Sequence, residues 1–173
     1  VMALTPATAG LILAIGPLVA AIAGVPAGRL VDYFGAERAT LGGLAALTVG
    51  AVALSFVPSV FGVAGYVGPI VTMTTGYALF QAANNTKIMS GSGIAERGVV
   101  SGILNLSRNL GLVTGAAAMG AVFAWGTAAH DVMTASPEAI TRGMHATFAV
   151  AAVLIVISLL ILLRVIGTQR HQD

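Results

Sequence analysis

The stretch Gly28-Arg29-Leu30-Val31-Asp32-Tyr33-Phe34-Gly35-Ala36-Glu37-Arg38 sets four charged side chains between two long apolar runs. Only 8% of the 173 residues are charged, so this knot stands out. Charge is costly in hydrocarbon, which places the segment at a membrane surface. Its glycines suit a tight reversal that residues with a Cβ resist. Asp32, Arg29 and Arg38 can there bond helix ends or one another.

Working outward, the hydrophobic fraction is 57% and the mean hydropathy is +0.96. A soluble fold of this length needs charged helix faces, and this chain has few. The composition predicts an all-α, polytopic transmembrane helix bundle whose first partner is the lipid bilayer. The net charge of +2 and pI near 9.5 reflect arginines at an anionic membrane surface and imply no nucleic acid partner. Without cysteine there are no disulfides, no thiol chemistry and no cysteine-ligated metal. The opening Val1-Met2-Ala3-Leu4-Thr5-Pro6 lacks the basic region of a signal peptide and reads as a cut within a longer chain.

A helix needs about 20 apolar residues to cross the hydrocarbon core, and five segments qualify, at about 8–30, 40–57, 61–88, 99–125 and 146–163. With five spans, Arg29, Arg38, Lys87, Arg97, Arg108, Arg164 and Arg170 fall on one side and Arg142 on the other. That imbalance predicts a cytoplasmic location for the first side, with the amino end outside and the carboxyl end inside. The external connections are then Pro58-Ser59 and the loop from His130 to His145, and Trp125 fits the external aromatic belt.

The spans differ in kind. Span one repeats small residues at Gly16, Ala20, Gly24 and Gly28, and span two does so more weakly at Gly42, Ala46, Gly50 and Ala53. Such stripes let membrane helices approach closely, and the same packing role is expected of Gly98 with Gly102 and Gly111 with Gly115. Span five is bulky on every face and is expected to be the outer, lipid-facing helix. Span three carries Thr74, Tyr77, Gln81, Asn84 and Asn85 at helical spacing, and span four carries Ser101, Asn105 and Arg108 toward its cytoplasmic end. Polar groups facing lipid would be unsatisfied, so two polar faces predict a shared aqueous cavity. For these residues a cavity-lining or gating role stands beside plain interhelical hydrogen bonding. Asn84 and Asn85, near the cytoplasm, suit a gate.

Gly28-x-Leu30-x-Asp32-x-x-Gly35 resembles the signature loop of the major facilitator superfamily, found between the second and third helices of each six-helix half. The stretches Gly76 to Asn85 and Glu96 to Gly111, with Arg97-Gly98 and Ser101-Gly102, look like the end of its drug:proton antiporters, those with fourteen spans above all. The resemblance implies that these are the last five spans of the C-terminal six-helix half, with the N-terminal half lying outside this sequence. It further implies a secondary transporter of small organic molecules, working by proton-coupled efflux and alternating access in a bacterial inner (plasma) membrane. No cofactor is expected, the proton gradient supplying the energy.

The resemblance also makes Gly28, Arg29, Asp32, Gly35 and Arg38 a cytoplasmic latch, set against the plain reading of a charged surface turn. The copy departs from the pattern: Tyr33, Ala36 and Glu37 stand where basic residues are usual, leaving Arg38. The amino end of span four, from Gly98 to Arg108, would receive the latch of the other half. No Asp or Glu falls in mid-span, so a proton-carrying acid is expected elsewhere in the transporter. His130 and His145 lack metal-ligand spacing and read as solvated loop residues. An enzyme is not expected: there is no Gly-x-Ser-x-Gly, no His-Glu-x-x-His and no pair of intramembrane aspartates. The alternatives are an uptake symporter of the same superfamily or a non-transporting scaffold subunit.

Overall fold

The computed structural model describes residues 6–57, 62–128 and 134–169. They form five helices: α1 (Pro6–Phe34), α2 (Ala36–Phe56), α3 (Gly62–Ser90), α4 (Arg97–Thr127) and α5 (Pro137–Gln169). In lipid every backbone polar group must be satisfied within the protein, and helices do this segment by segment. Hydroxyls obey the same constraint. Thr40, Thr48, Ser55, Thr72 and Ser158 each donate to the carbonyl four residues back. Among the described residues, no buried side-chain nitrogen or oxygen lacks a partner.

Four of the helices are long and apolar enough to cross a membrane. The exception is α3, whose 29 residues give ample length. Its threonines, Gln81, Asn84, Asn85 and Lys87 hold its hydropathy below that of the others. It is the polar member of the set, and the packing accounts for that.

α3 lies between α1 and α2, α5 packs on α2 and α4, and α3 meets α4 only slightly. The tightest seam joins α2 to α3. A Cβ on Gly43 would come within 2.6 Å of the Phe80 nitrogen and 2.8 Å of the Gly76 oxygen. One on Gly76 would come within 2.8 Å of the Ala46 Cβ, and one on Gly50 would strike Met73 and the Pro69 oxygen. Backbones in such contact gain dispersion energy that no bulkier residue allows. α4 and α5 cross likewise, where a Cβ on Gly126 would meet the Gly143 Cα at 3.0 Å. The buried core is correspondingly small-residued, with Ala23, Ala27, Ala39, Ala51, Ala83 and Ala152 beside Val31 and Leu54.

Several expectations about stripes change. In α2 the packing glycine is Gly43; the neighbouring Gly42 meets only the Leu79 side chain, at an ordinary 3.7 Å. A Cβ on Gly16, Gly24, Gly28, Gly98, Gly102, Gly111 or Gly115 would meet nothing within 4 Å. Those stripes pack against nothing among the described residues, because α1 meets α3 through Ala23, Ala27 and Val31 and α4 meets α5 through its last turns. α5 does present bulky apolar side chains outward, with Leu154, Ile157, Leu160 and Ile161 all exposed. α4 does so as well, and Trp125 stands exposed near its end.

Two further corrections concern ends. α5 begins at Pro137, nine residues before the expected span. Ser136 caps it: its Oγ accepts from the Ala139 N–H at 3.2 Å, and proline suits the first helical position. His145 is therefore a helical residue. Its Nε2 lies 3.0 Å from the Val57 carbonyl at the end of α2, tying α2 to α5 where a solvated histidine was expected. The expected connection at Pro58-Ser59, His130 and Arg170 lie outside the described residues.

The seam gives a direct test. Gly43→Ala should destabilise the bundle by about 1–3 kcal/mol through forced displacement, whereas Gly42→Ala is tolerated. Thermal unfolding of the full-length protein in detergent, followed by loss of monodispersity, reads the difference.

Candidate functional site

The seam sets the rotation of α3. With Gly76, Phe80 and Ala83 turned to α2, residues about 80–180° round the helix look away from it. Tyr77, Gln81, Asn84 and Asn85 fall on that arc. They face α4, which contributes Leu104, Ser107, Arg108, Gly111 and Leu112. Together with Phe80 these residues line an open cavity of about 370 Å³. That volume falls within the range of small-molecule sites.

One contact spans the cavity. The Gln81 amide satisfies its surroundings with its oxygen turned to the guanidinium, Oε1 accepting from Arg108 Nη1 at 3.1 Å and Nη2 at 3.0 Å. Arg108 thus turns toward α3 instead of snorkelling along its own helix to the surface. It lies about 16 Å along α4 from Arg97, deeper than the cytoplasmic end where it was expected. Tyr77, Asn84 and Asn85 make no side-chain hydrogen bond among the described residues. Their polar groups are open to the cavity.

The cavity continues on both flanks of α3. Toward α1, Tyr77, Gln81 and Asn85 share a groove of about 300 Å³ with Ala20 and Gly24. The small-residue stripe of α1 thus borders the polar face without closing on it. Toward α2 and α5, Tyr77 and Asn84 share a crevice of about 490 Å³ with Thr40 and Ser158.

Of the polar residues singled out in the sequence, the structure gathers Tyr77, Gln81, Asn84, Asn85 and Arg108. It leaves out Thr74, Ser101 and Asn105. Thr74 and Ser101 share faces with Gln81 and Arg108 but lie two turns away, about 10 Å along their helices. Asn105 is rotated about 60° from Arg108 and is exposed. Ser107 was missed and Gly111 was read only as a packing glycine; their position beside Arg108 at one and three residues was the available signal.

The charged stretch is mostly helix. Residues 28–34 are the last turns of α1, and Gly35 alone turns the chain, with φ +81°. Its N–H donates to the Val31 carbonyl at 2.9 Å and its carbonyl accepts from Ala39, so one residue ends α1 and starts α2. The expected reversal at Gly28 is absent; that residue is helical. Arg29, Asp32 and Arg38 are exposed and form no ion pair or hydrogen bond among the described residues. α2 and α4 both start at this end, and neither has a side-chain cap. Among the described residues no cluster of His, Asp or Glu could hold a metal ion.

A bundle of apolar helices joined through glycine seams, with its polar groups collected on one inner face, has the form of a membrane carrier segment. The family model of the Major Facilitator Superfamily matches residues 1–173, and the chain belongs to that superfamily. It is also similar to the Multidrug efflux pump LfrA of Mycolicibacterium smegmatis (strain ATCC 700084 / mc(2)155), at 28% identity over 123 residues. The match covers 71% of this chain and 24% of the relative, so the chain spans about a quarter of the length of that curated protein. No solved structure matches significantly.

Gln81→Leu removes the acceptor that faces Arg108, and hydrogen bonds to charged groups contribute about 1.5–3 kcal/mol. Transport by the full-length protein should fall roughly ten- to a hundredfold while membrane insertion persists. Flux in vesicles normalised to inserted protein measures it.

Proposed function

We propose that this chain forms part of a secondary active transporter that exports small amphiphilic organic molecules in exchange for protons, by alternating access. The observation that carries the reading is the cavity between α3 and α4, lined by Tyr77, Gln81, Asn84, Asn85 and Arg108 in a chain otherwise surfaced with apolar side chains. Family membership and the likeness to an efflux pump support the direction of transport. α3 and α4 touch lightly, so the gap between them can widen with little loss of direct packing while the α2–α3 and α4–α5 seams hold and α5 stays on α2.

In this reading the proton gradient is the energy source and no cofactor takes part. The described helices carry their acids at or near their ends, so the proton-carrying carboxylate belongs to the rest of the transporter. Arg29, Arg38, Lys87, Arg97 and Arg164 gather toward one end of the bundle, which supports a cytoplasmic location for that end in a bacterial inner membrane. The amino end is then outside and the carboxyl end cytoplasmic. Gly28, Arg29, Asp32, Gly35 and Arg38 act there as the latch. Asp32, exposed near the start of α2, which lacks a side-chain cap, has a positive helix end to engage in the alternate conformation.

Efflux of the neutral dye Nile red from cells lacking other pumps tests this. The full-length protein should extrude the dye, a protonophore should stop extrusion, and Asn84→Trp should block it by filling the cavity. Dye accumulation would indicate a symporter, and extrusion indifferent to the protonophore would contradict proton coupling.

A further inference from the structure

Inside a membrane bundle a guanidinium whose facing partner is a neutral amide is an incomplete site. The Gln81 Oε1 takes one hydrogen from each terminal nitrogen of Arg108, leaving the remaining donors of the fork without an acceptor among the described residues. Those donors belong to a cation half-buried in a cavity of about 370 Å³. No carboxylate lines that cavity, nor either flanking groove. The described acids, Asp32, Glu37, Glu96 and Glu138, lie at or next to helix ends. The nearest along α4 is Glu96, about 18 Å below Arg108 on the same helix.

A cation with no counter-charge beside it gives the cavity wall a positive potential, attracting anions and repelling cations. The planar fork is matched to a carboxylate, sulfonate or phosphate by paired N–H···O bonds. Ser107 adds a hydroxyl beside it, and Tyr77, Asn84 and Asn85 supply open donors around it. Phe80, Leu104 and Leu112 provide apolar wall for the rest of a molecule.

We infer that Arg108, held by Gln81, is an anion-recognition site, and that the substrates include amphiphilic organic anions whose acidic group docks on its free edge. This rests on the reading of the α3–α4 cavity as the transport cavity. An acidic side chain from elsewhere in the transporter offers the same chemistry, and the experiment separates the two sources. It uses purified full-length protein with two fluorescent probes of nearly equal shape, dansylglycine, an anion, and dansylglycinamide, which is neutral.

The wild type should bind the anion at least about tenfold more tightly than the amide, the scale of a charge-assisted bidentate contact. Arg108→Gln should bring that ratio to about one, and Arg108→Lys should leave an intermediate ratio, a point charge without the fork. Equal binding of the two probes by the wild type overturns the inference, since a carboxylate of the protein already occupies the guanidinium. So does a preference that survives Arg108→Gln, or binding of neither probe. Nile red efflux that persists and is blocked by Asn84→Trp, alongside any of these, would leave the transport cavity standing and remove only the anion site.

Discussion

The close approach of α2 and α3 at Gly43, Gly50 and Gly76 governs the rest of this structure. In lipid, helices gain nothing by hiding apolar surface from one another, so they associate where backbones can touch. Three positions without a Cβ provide that contact and fix the rotation of α3. Once Gly76 faces α2, the polar arc of α3 must face elsewhere. The direction it takes is toward α4, across a gap that Gln81 and Arg108 bridge. The site is thus a consequence of the seam.

The same reasoning explains the uneven character of the helices. α3 has neighbours on two sides and a cavity on the third, which lets it carry amides and hydroxyls along one arc. α5 turns isoleucine and leucine outward and reserves Gly143 and Ala152 for contact. Where it leaves the apolar region it is started by Ser136 and Pro137 and tied to α2 through His145. α3 and α4 form the walls of an open cavity, with the stripe of α1 at the edge of the polar face.

Much of the fold was legible in the sequence because hydrophobic length and the charged stretch after Leu30 mark the spans without reference to packing. The polar arc of α3 was legible for the same reason: amides and hydroxyls at spacings of three and four have few uses in lipid. Which glycines pack was not. Gly42 and Gly43 differ by one residue and about 100° of rotation, and only the partner helix decides between them. The direction in which Arg108 turns was not legible either, until α3 supplied Gln81 across the gap. The loop motif read as a turn because of its glycines, but nothing between Gly28 and Phe34 breaks a helix, and the turn waits for Gly35. The early start of α5 was written in Ser136-Pro137-Glu138, a capping signal masked by the search for uninterrupted apolar length.

The central claim is that the face between α3 and α4 is the aqueous, substrate-facing surface of this segment. The chain has no cysteine, so a single introduced thiol reports its own surroundings. In the full-length transporter freed of other cysteines, Ser107→Cys should react with a charged, water-soluble methanethiosulfonate. Val113→Cys, on the exposed apolar side of α4, should not. Equal inertness at both positions, or reaction at 113 alone, would contradict the account.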